Sequence, residues 1–157
     1  MPAGKALDAY LTDHMAGSVS AGDMARRGAQ NNAGPLAQFF ADLAREIEID
    51  RRTLEEIGER VGTQASVLKE AGAVAMERLS RFKIDERMTG SPELSLLLEL
   101  ELLYLGIQGK HALWRALGAV SDPRLAEFDF GKLEQRADEQ LAAVEEQRIA
   151  AAKDALS

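Results

Sequence analysis

The 157-residue chain contains no cysteine. Disulfides, thiolate metal sites and cysteine nucleophiles are thereby excluded, although this absence fixes no cellular compartment. Aromatic residues make up only 5% of the chain, while Ala, Leu, Glu and Arg dominate, a balance that favours helix and offers little to a β-sheet. Proline occurs four times, at Pro2, Pro35, Pro92 and Pro123. Each suits a helix start, because a proline is tolerated in the first turn and disrupts later ones. Acidic residues outnumber basic ones by 26 to 19, no Lys/Arg cluster is present, and the formal net charge is −7. Phosphate backbones attract basic surfaces, so nucleic acid is not an expected partner. No apolar run reaches membrane-spanning length, and even the oiliest stretch is interrupted by Glu99 and Glu101. The opening residues, MPAGKALDAY, have no long apolar core of the kind a signal peptide carries. A cytoplasmic location and no membrane partner are the expectations. Catalytic signatures are missing as well. There is no Ser-His-Asp arrangement and no nucleotide motif, and Gly109-Lys110 lacks the pattern that precedes a phosphate loop.

What is present reads as helix. Hydrophobic residues account for 46% and charged residues for 29%, which suits one folded domain over residues 1–157. The stretch 94–117, LSLLLELELLYLGIQGKHALWRAL, is the most apolar in the chain. Leu94, Leu97, Leu98, Leu105 and Ala112 share one helical face, and Leu96, Leu100, Leu103, Ile107 and Trp114 share a second. Two apolar faces predict a central helix, over 92–117, covered on more than one side. Ser91 caps it, Pro92 fits its first turn, Glu93 complements its dipole and Gly118 is a natural stop. With so little of this helix left for solvent, at least one of Glu99 and Glu101 is expected to point inward. A buried carboxylate must be neutralised, hydrogen-bonded or bound to a cation.

Three further long helices and one shorter helix follow from the same reading. The first spans 2–29, with Leu7, Leu11, His14, Ser18, Ala21 and Ala25 on one face and the small residues Gly17 and Gly22 beside it. Small residues allow close helix approach or leave room for an apolar ligand. The second spans 35–60, with Leu36, Phe40, Leu43, Ile47, Asp50, Leu54, Ile57 and Val61 alternating at spacings of four and three. Asp50 occupies a core position of this heptad. A shorter helix over 66–83 has Val67, Val74 and Phe82 as inward contacts. Asp122 caps a restart at Pro123, and the last helix spans 132–155, with Leu133, Ala137, Leu141 and Val144 as its stripe. The linking segment between the second and third long helices far exceeds what a helical hairpin needs. It can carry the chain back along a bundle and leave those two helices parallel.

In this layout the chain resembles the ferritin-like superfamily, and the resemblance spans nearly all of it. The resemblance implies an all-α, ferritin-like four-helix bundle, with the 66–83 segment as an additional crossover helix between the second and third long helices. Di-iron members of that superfamily place one Glu and one Glu-x-x-His pair on successive helices, twice over. This chain has no Glu-x-x-His; Leu11 and Gln108 stand three residues before its two histidines. The residues able to form part of a site are His14, Glu46, Asp50 and Glu101, with Glu134 or Gln140 from the last helix.

Two readings of these acids follow. In the first, Asp50 and Glu101 belong to an internal polar network with Lys110, which lies on the stripe of Leu103, Ile107 and Trp114, and with Arg136 of the last helix. The protein is then a non-enzymatic bundle acting through binding or assembly, and the apolar surplus of the central helix makes a homodimer the expected partner. In the second, His14, Glu46, Asp50 and Glu101 bind iron or another divalent metal, with iron-handling or oxidoreductase activity. Tyr10, Tyr104 and Trp114 read as core aromatics whose polar tips find partners.

Overall fold

The computed structural model describes residues 3–81 and 89–157, and there is no strand among them. The elements are α1 (Ala3–Asn31), α2 (Gly34–Val61), α3 (Ala65–Arg81), α4 (Pro92–Ala119), a 3-10 turn (Pro123–Leu125) and α5 (Phe130–Leu156). None of these helices is long and apolar enough to cross a membrane. Phe82 and the rest of the 66–83 prediction beyond residue 81 lie outside the described residues.

Local chemistry sets the ends. Gly62 adopts φ +88° just after α2, and the amides of Gly62 and Thr63 satisfy the carbonyls of Glu59 and Gly58. A left-handed residue after the last turn is the usual way to close a helix, and glycine enters that region without penalty. Thr63 Oγ1 then donates to Asp8 Oδ1 at 2.6 Å, tying this corner to α1. Ser91 Oγ accepts from the Leu94 amide at 3.2 Å, and Asp122 and Asp129 cap the 3-10 turn and α5 in the same way.

The helices pack through small residues. A Cβ on Gly22 would lie 3.6 Å from Ile47, and one on Gly28 would lie 2.5 Å from the Phe40 ring, so α1 and α2 run in opposite directions at close range. α3 lies along α1 in the same direction, with Gly72 against Val19. α4 runs against α1, with Gly106 opposite Ala21. α5 runs against α4: Phe130 faces Trp114, and Arg148 reaches Glu101. Buried side chains from every element, including Leu11, Phe40, Leu68, Leu100, Leu125 and Val144, form one hydrophobic cluster.

Several expectations change in detail. The α2 heptad is buried from Phe40 to Val61, with Leu36 partly buried at its start. In α3 the inward residues are Leu68, Gly72 and Ala75, while Val67 and Val74 are exposed. The close approach of α3 to α1 and α2 selects the face carrying the small residues. α4 continues through Gly118, which is a packing site and not a stop: a Cβ there would come 3.2 Å from that of Phe130. α5 starts at Phe130, two residues before the predicted 132, because Asp129 is its cap. Only one of the two apolar faces of α4 is fully covered. Leu100, Leu103, Ile107 and Trp114 are buried, whereas Leu105 is 65% exposed. α1 and α5 occupy one side of this helix and leave the other open.

The Gly28 contact makes a prediction. Gly28→Ala forces a methyl group into the Phe40 ring and lowers stability by about 1–3 kcal/mol. Gly17→Ala, whose added methyl meets nothing within 4 Å, raises it by about 0.5–1 kcal/mol through helix propensity. Urea unfolding midpoints measure both, and a Gly28→Ala variant as stable as the parent would show that Phe40 does not press on α1.

Candidate functional site

Asp50 stands at a core position of α2, between Ile47 and Leu54, and is 3% exposed. The heptad that buries its neighbours buries it too. Its Oδ2 accepts from Lys110 Nζ of α4 at 2.6 Å and from Gln140 Nε2 of α5 at 3.0 Å. Lys110 Nζ also donates to Gln140 Oε1. Arg136 Nη2 lies 3.3 Å from Asp50 Oδ1 as an ion pair, but out of line for a hydrogen bond, so Oδ1 has no hydrogen-bond partner among the described residues. One carboxylate thus gathers two bases and an amide from two other helices. Burial pushes the Lys110 ammonium below its ordinary range, and the charge and hydrogen bond of Asp50 oppose that shift. Arg136 lowers it further, while the exposed Glu46 raises it.

Beside this cluster is a cavity of about 70 Å³. α1 contributes His14, Gly17, Ser18 and Ala21, and α2 contributes Ile47, Asp50 and Leu54. The α4 wall is Gly106, Ile107, Lys110, Leu113 and Trp114. Gly17 and Gly106 are exposed, so the cavity opens to the surface between α1 and α4. Most of the wall is apolar. Trp114 is 1% exposed, yet its Nε1 has no hydrogen-bond partner among the described residues. The expectation that its polar tip finds a partner within the chain is therefore not met. Burial holds the His14 imidazole below its ordinary range, with Asp13 opposing, and its ring packs edge-on to Tyr10.

Of the four candidate ligands, only His14 and Asp50 line this cavity. Glu46 is exposed, one turn before Asp50 on α2. Glu101 is partly exposed and pairs with Arg148 at 3.4 Å, and Glu99 is partly buried, its carboxyl pushed up by burial. Among the described residues, no group of three or more His, Asp or Glu side chains is placed to hold a metal ion. The donor set fits a metal poorly for a chemical reason: the groups closest to the Asp50 carboxylate are two cations and an amide. Lys110 and Arg136 were legible in the sequence as bases on inward stripes. Gln140 was legible only as a weak candidate ligand, although it sits between Ala137 and Val144 on the buried stripe of α5. The unpartnered indole of Trp114 left no trace in the sequence pattern.

Comparison of the chain with family models, curated proteins and solved structures finds no match.

The network carries a stability prediction. Asp50→Ala leaves Lys110, 13% exposed, without its anion, and costs about 3–5 kcal/mol. The triple substitution Asp50→Leu, Lys110→Met, Gln140→Leu removes charge and amide together and recovers most of that loss. Thermal and urea unfolding of both variants decide it; a triple variant no more stable than Asp50→Ala would mean that the cost is not one of buried, unpaired charge.

Proposed function

We propose that this chain is a ferritin-like helical bundle that works without enzymatic chemistry, through binding or assembly. In this reading a charged hydrogen-bond network occupies the interior where that superfamily gathers metal-binding carboxylates. The observation that carries it is the set of groups around Asp50: Lys110, Gln140 and Arg136. A carboxylate already shared by two bases has little left for a metal, and three further ligands would have to displace them. The ferritin-like arrangement is supported by α3, whose course along α1 leaves α2 and α4 running the same way, as a crossover helix would.

Assembly has its own supporting observation. Leu98, Leu102 and Leu105 recur on α4 at spacings of four and three, the spacing of a helix-pairing seam. Leu102 is 40% and Leu105 65% exposed. A second copy of the chain, pairing through this face of α4, is the partner we assign to it.

Two measurements test the proposal. Protein incubated anaerobically with ferrous iron and then exposed to air should retain no stoichiometric metal and show no absorbance change; one or two tightly held ions per chain would instead establish the His14, Glu46, Asp50, Glu101 reading. Light scattering should give twice the 17.1 kDa chain mass, and Leu105→Glu should return it to a monomer. A monomeric parent at high concentration rules the seam out.

A further inference from the structure

The outward face of α4 is uncharged well beyond its three leucines. Leu98, Leu102, Leu105, Gly109, Ala112 and Ala116 follow one another at spacings of four and three. All are exposed or partly exposed, and they lie across the helix from the buried Leu103, Ile107 and Trp114. This seam is divided by size: its first half is leucine, and its second half is glycine and alanine. Gly109 serves no close approach within the chain, since a Cβ there would meet nothing within 4 Å, although glycine inside a helix is destabilising relative to alanine. Charge is divided in the same way along one border. Glu101, Gln108 and Arg115 recur every seven residues, each directly before a seam position. The Glu101 side chain is 42% exposed despite its pair with Arg148. Arg115 is exposed and has no ion pair among the described residues.

We infer that two copies of the chain pair antiparallel through this face, about a two-fold axis at the level of Ile107, with the leucines of each copy seated on the small residues of the other. In that register Leu98 faces the partner's Ala116, Leu102 faces the partner's Ala112, and Leu105 faces the partner's Gly109. The two-fold repeats each contact, as a self-complementary patch requires. Every layer joins one large and one small side chain, so the helices approach evenly along the seam. A parallel pairing would stack leucine on leucine at one end and alanine on alanine at the other, and the two axes could not keep one distance. Sliding the antiparallel pair by one heptad sets Leu102 on the partner's Leu105 in one sense, and Gly109 on the partner's Ala112 in the other. Charge selects the same arrangement. Reversal of one helix brings Glu101 beside the partner's Arg115 and Arg115 beside the partner's Glu101, with Gln108 of both copies at the axis. The inference rests on the assembly reading, to which it adds the direction and register of pairing.

The chain has no cysteine, so Ala119→Cys carries one nitroxide label per copy, at the end of α4. Antiparallel pairing about Ile107 puts the two labels roughly 36 Å apart along the helices, at the α-helical rise. Parallel pairing brings them to about the 8–10 Å between packed helix axes. Pulsed and continuous-wave electron paramagnetic resonance tell these apart. Gly109→Leu should weaken the dimer at least about tenfold, because it fills the space taken by the partner's Leu105. In a parallel dimer the same change would add a leucine contact and tighten the pair. Arg115→Glu and Glu101→Arg should each weaken self-association by about tenfold, since two rim attractions become two repulsions. An equal mixture of the two variants should dimerise as the parent does, because the mixed pair restores both ion pairs. A dimer with its labels at close range, or one that Gly109→Leu tightens, would overturn the antiparallel register and leave the assembly reading standing. A mixture no tighter than either variant alone would overturn the charge pairing. A monomeric parent would overturn the assembly reading and this pairing with it.

Discussion

A carboxylate that is 3% exposed constrains everything around it. Its desolvation cost is recovered only if opposite charge and hydrogen bonds meet it in good geometry. Asp50 meets that demand with groups from two other helices, Lys110 from α4 and Gln140 and Arg136 from α5. Each of those side chains reaches it only if its helix is rotated and shifted to one register. Hydrophobic burial tolerates small slides of one helix along another, whereas a hydrogen bond of 2.6 Å does not. The network therefore specifies how α2, α4 and α5 sit together, and the apolar stripes supply most of the driving force.

Small residues do the complementary work at the α1 contacts. Gly28 receives the Phe40 ring and Gly72 receives Val19, so α1 lies close to both α2 and α3. Further along, Gly17, Ser18 and Ala21 line the cavity with Gly106 of α4, and there the small side chains leave space. The same kind of residue thus closes one part of the α1 surface and opens another. What differs is the partner: a large ring or branched side chain fills the gap at Gly28 and Gly72, whereas a Cβ at Gly17 would meet nothing within 4 Å. The open part lies next to the charged cluster, and so Asp50 and Lys110 are among the residues that line a mostly apolar cavity.

α4 links these features. Its buried face supplies Leu100, Leu103 and Ile107 to the core, Lys110 to the network and Trp114 to the cavity. Its outer face presents Leu102 and Leu105 to solvent. The two acids that interrupt its apolar run, Glu99 and Glu101, lie at the boundary between those faces. Glu101 settles on Arg148, and Glu99 is partly buried, its carboxyl pushed up by that burial.

The helices themselves were legible in the sequence because their signals are local. Prolines, caps and the four-three spacing of α2 act within a few residues, and they located the long helices to within a few residues of their observed ends. The identity of Asp50 as a core acid was legible for the same reason, since its position in the heptad does not depend on what covers it. Lys110 and Arg136 could be nominated as its partners, because both lie on inward stripes of their helices. Which acids would gather and which would not was beyond reach. Glu46, one turn from Asp50, points to solvent, and Glu101 pairs at the surface, because helix rotation is set by packing across the bundle and not by the pattern along one helix. The same holds for the outward face of α4, the choice of Leu68 over Val67 on α3, and the unpartnered Trp114 indole. The sequence by itself determined that the chain is helical, where its long helices lie, and that one of them carries a buried acid. The tertiary structure alone decided which groups surround that acid and where the cavity opens, because both depend on distances between segments that no local pattern encodes.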